Sequence, residues 1–343
     1  MTEQDTQEFR IYGKNNTIFF QGKITSEVTG ILMDTYQLLV TNEIRLDFSA
    51  LEQIDISGIN ALIKLYLHAQ DQGKKLAAQG VSPYLKDVFT TVALDEAIPV
   101  EPAGAEGIQG PVQVKDSPWA RPVASLSLSH VPQGAVNLNI EGFHTVGPVQ
   151  GFGRLWEKTY TVRLAGISIT PYEVIRTLKE HFPEFQPQQN RFYPPPAGIV
   201  PGEIVLINAC TPLGPIYTGV WVVHADDETF TFMTPQGHPE SGWVTFSAYE
   251  QTGAVVAQVQ GFARANDPVY ELGFVLAGSK VQEQIWTHVL SSLAEHLGVK
   301  PWVNIHKTCV GPHYQWDQVT NIWYNAQIRS TLYSLRNMMR RTG

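Results

Sequence analysis

Apolar and polar positions change period several times along the chain, and each change predicts an element. Alternation over Glu8–Gly13 and Thr17–Gly22, around Lys14, Asn15 and Asn16, predicts a hairpin. Ser26 is placed to cap a helix carrying Ile31, Leu32, Tyr36 and Leu39 at helical spacing, and Glu43–Phe48 alternates as a strand. After "IDISGINAL", Ile59, Leu62, Ile63 and Tyr66 form one apolar stripe that stops at Gly73. "KKLAAQGV" reads as a strand, and Ser82-Pro83 opens a helix with Leu85, Val88 and Phe89 on one face. From Glu101 to Pro132 no period is sustained, while Pro102, Gly104, Gly107, Gly110, Pro111, Pro118, Pro122 and Pro132 recur, so a linker is expected. "LWEKTYTVRL" restores alternation. Thr170-Pro171-Tyr172-Glu173 has capping-box spacing and starts a helix reaching about Phe182. Five strand-like runs follow, Glu203–Ala209, Ile216–Ala225, Thr229–Thr234, Trp243–Glu250 and Ala254–Ala263, and then a long helical period from Val269 to Leu297 that ends at Gly298.

Two domains follow from this order: an α/β unit with a mixed sheet and helices, and an α+β unit whose antiparallel sheet is crossed by a long C-terminal helix. The expected boundaries are 1–101 for the first unit, 102–132 for the linker, 133–300 for the second unit and 301–343 for a C-terminal extension. The length of 343 residues agrees with two cores. A hydrophobic fraction of 43% with 16% charged residues describes a globular chain. The net charge of −8 argues against a nucleic-acid partner, which favours a basic stripe. The polar start "MTEQDTQEFR" lacks a signal-peptide pattern and no apolar run is long enough to span a bilayer, so the expected compartment is the cytoplasm. Cys210 and Cys309 are then expected as free thiols.

Ser57 sits where "IDISGINAL" passes from strand to helix. Two readings stay open: an N-cap, or an exposed hydroxyl whose phosphorylation adds about two negative charges that the helix N-terminus tolerates. Residues 43–100, with Asp47 closing the strand, Asp55-Ile56-Ser57-Gly58, the "VSP" helix start and the "ALDEAIPV" ending, resemble the STAS domain of anti-sigma-factor antagonists and sulfate-transporter tails. The resemblance implies a regulatory protein-interaction module in signal transduction, with Ser57 as the phosphoacceptor in a setting of Asp55, Gly58 and Asp47, and a serine kinase or anti-sigma-like protein as partner. After the first hairpin the family carries an acidic "GELD" element. This chain has Gly22-Lys23-Ile24-Thr25, which puts the kinase interface in doubt and makes Thr25 a second candidate acceptor.

The run from "INACTPLG" to "GFARANDP", with Gly237-His238-Pro239-Glu240-Ser241-Gly242 between two strands, resembles START-like, helix-grip domains of the SRPBCC type. The resemblance implies a cupped sheet closed by a long helix, commonly around a hydrophobic small molecule or lipid. Trp221, Phe230, Phe232, Phe246 and Phe262 lie on strands of one sheet and either line such a pocket or fill a core. His238 with Glu240 is the acid–base pair in a motif, read as a turn histidine or, in an enzyme, as its catalytic bet. His224, Asp226 and Asp227 read as a hairpin turn. His306, Cys309 and His313, with Asp317, have a weak metal-like spacing resting on a lone cysteine. The tail places Ile328, Leu332, Leu335 and Met339 on one helix face with Arg329, Arg336, Arg340 and Arg341 beside it, a basic amphipathic helix for a membrane surface, a partner groove or the protein's own body. The leading expectation is a non-enzymatic regulatory protein without a cofactor. An enzyme acting on an apolar substrate and a peripheral lipid-binding protein are the alternatives.

Overall fold

The chain divides into two compact units, residues 1–117 and 118–343. The computed structural model describes residues 9–24, 28–102, 117–211 and 214–342. In the first unit the hairpin of β1 (Phe9–Lys14) and β2 (Thr17–Ile24) turns at Asn15, whose φ of 56° suits asparagine. After α1 (Thr29–Gln37), β3 (Glu43–Ile54) pairs in parallel with β2. Next, α2 (Ile56–Asp71) crosses back so that β4 (Lys75–Gln79) lies parallel to β3, giving the sheet order β1-β2-β3-β4. Gly73, with φ of 67°, ends α2 in a Schellman arrangement: its N–H donates to the Gln70 carbonyl and that of Lys74 to Ala69. Ser82 caps α3 (Pro83–Thr91) by accepting from the Leu85 N–H, and the short α4 (Leu94–Ala97) follows. Ile59, Leu62 and Ile63 are buried as the stripe requires, but Ala61, Leu65 and Leu67 are buried too, so α2 is enclosed on most of its circumference. Thr25 and Ser26 lie outside the described residues.

The second unit is built on one antiparallel sheet. After β5 (Thr145–Val146) come β6 (Leu155–Leu164), α5 (Pro171–His181) and then β7 (Asn190–Tyr193), β8 (Ile204–Thr211), β9 (Gly214–Ala225), β10 (Thr229–Pro235), β11 (Glu240–Gln251) and β12 (Ala254–Ala265). These form a meander whose last strand closes against β6, giving the order β13-β6-β12-β11-β10-β9-β8-β7, with β5 paired to β10 and β13 (Val303–Gly311) at the edge. The capping box at Thr170 and Glu173 is complete and fixes the start of α5. The expected continuous helix is interrupted: α6 (Pro268–Gly273) leads through a π-helical stretch, Phe274–Gly278, into α7 (Ser279–His296). A nine-residue 3-10 stretch, Trp316–Tyr324, precedes α8 (Ala326–Thr342). Alternate residues of the strands, among them Tyr160, Val222, Phe230, Phe246 and Val259, pack against Val174 and Leu178 of α5 and Leu290 and Leu293 of α7. A curved antiparallel sheet gripping a long helix is a helix-grip architecture.

Both outer boundaries of this unit differ from expectation. Residues 117–132 were expected as linker, yet Trp119 and Leu126 are buried, and the backbones of Pro118 and Ala120 bond to Ala225 and Val223 at the end of β9. Irregular backbone without hydrophobic period is held there by hydrogen bonds, which leave no periodic signal. Residues 103–116, the rest of the expected linker, lie outside the described residues. Residues 301–343 were expected as an extension, but β13 completes the sheet edge on β6 and α8 packs across β9, with Ala326 and Ser330 buried.

Candidate functional site

Sheet and helix meet tightly at one end and part at the other. At the tight end the Phe182 ring, at the C-terminus of α5, is surrounded edge-on by Phe192, Phe230, Phe232 and Phe246 at centroid distances of 5.1–5.9 Å. This part is filled core. At the open end lies a cavity of about 390 Å³ bounded by β7 to β12, by α6 and the start of α7, and by the first residues of α8. Ile207, Val220, Phe232, Val244, Ile285 and Ile328 give it a mainly apolar wall. The six pocket candidates therefore separate. Phe232 and His238 border the cavity; Phe230 and Phe246 belong to the filled core. Trp221 and Phe262 border neither: Val220 and Val222 on either side of Trp221 face the core, so period two sends the indole to the other face, where it donates to the Gly202 carbonyl at 3.0 Å. Phe262 stacks there on Trp243.

The polar edge of the cavity comes from the "GHPESG" loop. Gly237, with φ of 83°, turns the chain, and the Glu240 N–H donates to His238 Nδ1 at 3.1 Å. Burial pushes the His238 pKa down to about 4, only partly opposed by the hydrogen bond to the Glu240 backbone, so the ring is neutral. Burial raises the Glu240 carboxyl, while Lys158 and Gln282 pull it back; both carboxylate oxygens accept from Gln282 Nε2 at 2.8 Å. Lys158 Nζ in turn donates to Gln282 Oε1 at 2.5 Å. His238 thus holds its own loop, and Glu240 is tied to α7. Two further polar groups on the wall lack a partner: the Thr218 hydroxyl and the Trp286 Nε1–H, both buried.

The mouth is braced by residues that pattern-reading passed over. Asp267, fully buried, caps α6 by accepting from the Val269 and Tyr270 N–H groups at 2.8 and 3.0 Å. Its other oxygen accepts from Asn325 Nδ2 at 2.8 Å, and Asn325 Oδ1 caps α8 by accepting from the Ile328 N–H. The Tyr270 hydroxyl accepts from the Gln327 N–H at 2.8 Å. Asp267 has a helix-cap signature, aspartate before proline; Asn325 could be found only from the fold.

In the first unit Asp55, not Ser57, is the N-cap of α2, its carboxylate accepting from the Gly58 N–H at 2.9 Å. Ser57, half-buried, stands in the first turn just behind it. Gly58 is required by packing, since a Cβ there would meet Ile54 at 2.6 Å and Ile24 at 2.8 Å. Asp47 is not part of this setting. It lies seven residues before the end of β3, about 23 Å along the strand, and accepts from the Ser49 N–H and from Gln79 Nε2 on β4. Burial raises its carboxyl, and the bonds from Ser49 and Gln79 outweigh that and hold it low. The weak metal set is not assembled either: His306 and Cys309 lie three apart on β13 and so face opposite sides, and among the described residues no cluster of three His, Cys, Asp or Glu could hold a metal. Asp226 organises its turn by accepting from the Glu228 and Thr229 N–H groups, with His224 buried beside it. Cys210 and Cys309 are free thiols. No helix among the described residues is long and apolar enough to cross a membrane.

Residues 9–101 match the family model described as Mlab, STAS domain, and residues 172–292 match that of a domain of unknown function, DUF1990. The first unit thus carries a STAS domain. No curated protein matches the chain. Among solved structures, similarity is found to the di-domain ARO/CYC StfQ from the steffimycin biosynthetic pathway, at 16% identity over 42% of this chain and 53% of that one with a TM-score of 0.33. The chain therefore spans about half the length of StfQ. Protein Ms6760 from Mycobacterium smegmatis is similar at 12% identity over 41% and 90% of the two chains, TM-score 0.31. The major latex-like protein 151 from Panax ginseng is similar at 17% over 41% and 97%, TM-score 0.26. The helix-grip assignment rests on the strand order and helix placement described above.

Proposed function

We propose that the chain is a non-enzymatic regulatory protein in which a STAS protein-interaction module is joined to a domain that binds one apolar small molecule. The cavity of about 390 Å³ carries this reading; it falls in the roughly 300–1,000 Å³ range of small-molecule sites, and its wall is mostly side chains without hydrogen-bonding atoms. Thr218 and Trp286 refine the ligand. A buried donor without a partner costs about 1–3 kcal/mol, and a ligand oxygen facing Trp286 Nε1–H or the Thr218 hydroxyl removes that cost. The ligand class is an apolar body with a neutral acceptor such as a carbonyl. His238, engaged by its own loop and neutral, and Glu240, held by Gln282, favour binding over acid–base chemistry.

The first unit supports a switch at Ser57. Because Asp55 already caps α2, the Ser57 hydroxyl is not needed to hold the helix, and a phosphate there changes the surface beside the helix N-terminus without removing the cap. The partner is a protein that reads this surface.

Titration with anilinonaphthalene sulfonate tests the cavity. One saturable site is expected, lost in Ala209→Trp, which fills the space, and native mass spectrometry of protein from its own cells should show a bound small molecule. A bare mass together with dye binding indifferent to Ala209→Trp would overturn the reading. For the switch, Ser57→Asp and Ser57→Ala are compared in pull-downs from the same cells, and identical partner sets would leave Ser57 without a switching role.

A further inference from the structure

The last helix is docked with its polar face inward. Ala326 and Ser330 are buried and Ser334 and Asn337 half-buried, and the Ser330 hydroxyl accepts from the Tyr217 N–H of β9 at 2.9 Å. Two residues on from each of the first two, about 200° round the helix, the apolar stripe points away from the sheet. Ile328, Leu332, Leu335 and Met339 are 44, 62, 47 and 65% exposed. An amphipathic helix of a monomeric globular domain normally buries such a stripe. Here the fold spends small polar residues on the contact and leaves the apolar ones outside.

This stripe does not stand alone. Across the mouth of the cavity Leu272, Val275 and Leu276 of α6 and the π-helical stretch are 61, 71 and 74% exposed. Leu276 from one side and Ile328 from the other both border the cavity, so the exposed apolar surface is continuous with its wall. Trp323, 79% exposed, lies three residues before α8. Charge is as lopsided as hydropathy. In a chain of net charge −8, residues 318–343 contain four arginines and no acid. Arg329 is engaged, donating to Asn139 Oδ1 and lying over the Phe143 ring, whereas Arg336 and Arg340 are exposed beside the stripe.

We propose that the rim of the cavity mouth, with α8 lying in the interface plane, is a docking surface for an anionic lipid bilayer. Apolar side chains flanked by arginines, with tryptophan shortly before the helix, suit the boundary between headgroups and acyl chains. The arginines select the sign of the surface, because the rest of this acidic chain is repelled by anionic lipid. A second copy of the chain is the poorer occupant: pairing two stripes brings Arg336 and Arg340 of each copy towards the same residues of the other. The opening of the cavity onto this surface rests on the ligand-binding reading and gives an apolar ligand a route that avoids water; the docking itself does not depend on it.

Full-length protein is sedimented with phosphatidylcholine vesicles containing or lacking phosphatidylglycerol, at low and high salt. Binding is expected with phosphatidylglycerol at low salt and strong weakening without it or at high salt. Arg336→Gln with Arg340→Gln should weaken binding about 30-fold, from about a fivefold effect per arginine near the surface. Leu332→Ser with Leu335→Ser should abolish it while the thermal melt is unchanged, since both side chains are exposed. Ala209→Trp, which fills the cavity, should bind vesicles like the wild type, so dye titration and sedimentation fail separately. Docking is overturned if neither vesicle type binds the wild type, if both bind it equally, or if the leucine variants lose self-association in sedimentation equilibrium and not vesicle binding.

Discussion

Replacing Asp267 with alanine should be the most damaging single change at the cavity mouth. The carboxylate is fully buried and serves three donors: two N–H groups of α6 and the amide of Asn325. Loss of the cap costs about 0.5–2 kcal/mol and the orphaned Asn325 amide about 1–3 kcal/mol. Release of a buried charge offsets part of this, so the net expectation is about 2–4 kcal/mol. All eight tryptophans lie at or beyond residue 119, so indole emission during urea unfolding follows the second unit alone. A cycle with Asn325→Ala should give a coupling of about 1–3 kcal/mol, since both side chains serve one bond and both helix caps. The pH dependence adds a check. Burial raises the Asp267 carboxyl despite its hydrogen bonds, so the folded state holds the proton more tightly than the unfolded one. Its contribution therefore falls as pH rises from the ordinary aspartate value towards the folded one, and Asp267→Asn should remove that fall. A loss below about 1 kcal/mol in Asp267→Ala, or a coupling near zero, would refute the clamp.

Three further outcomes follow from named contacts. Ser57→Ala should change the stability of the first unit by less than about 0.5 kcal/mol, whereas Asp55→Ala should cost about 0.5–2 kcal/mol, read by amide hydrogen exchange of α2; the reverse order would return the cap to Ser57. Gly58→Ala forces a Cβ against Ile54 and Ile24 and should cost about 1–3 kcal/mol by the same measurement, with a smaller effect showing that β2 and β3 yield there. His224 and His238, held near pKa 4 chiefly by burial, stay neutral where the unfolded chain takes protons. Their share of stability is complete above the ordinary histidine value and is lost as pH falls from about 6.5 towards 4, and His224→Gln should remove up to about 3 kcal/mol of that dependence in indole-monitored urea midpoints; an unchanged slope would show that His224 titrates in the fold.

Elements with a local signature were legible in the sequence. The capping box at Thr170, the Ser82-Pro83 start, the Gly73 stop and the strand Leu155–Leu164 all depend on residues close in the chain, and each stands where the pattern placed it. β13 was not legible, because an edge strand exposed over most of its length shows no apolar alternation. Nor could α8 be oriented: its stripe was plain in the sequence, but which face meets β9 is a tertiary outcome. The site divided in the same way. Period two placed five aromatics on one sheet, yet only the helix positions decide that Phe232 borders a cavity while Phe230 and Phe246 fill a core. Asp55 and Ser57 both suit a cap, and the backbone of the turn chose Asp55.

The π-helical stretch joins two anchored parts of one helical segment at the edge of the cavity. Hydropathy over Val269–Leu297 fits a single helix, but Tyr270 is fixed to Gln327 and Asp267 to Asn325, while Trp286 and Val289 are fixed in the sheet-facing core. An uninterrupted α-helix through both anchors would carry one residue fewer in the turn between them, because a π turn spends an extra residue on its hydrogen-bonded ring. Inserting one alanine after Leu276, itself 74% exposed, should exceed what one π turn absorbs and turn α6 by about 100° against α7. The Tyr270 and Asp267 clamps then cannot be kept together with the Trp286 packing. Circular dichroism should show undiminished helix, while the second unit melts lower and dye affinity falls several-fold. Wild-type affinity and melting in the insertion variant would show that the exposed turn absorbs a further residue and that the register between α6 and α7 has no part in holding the mouth open.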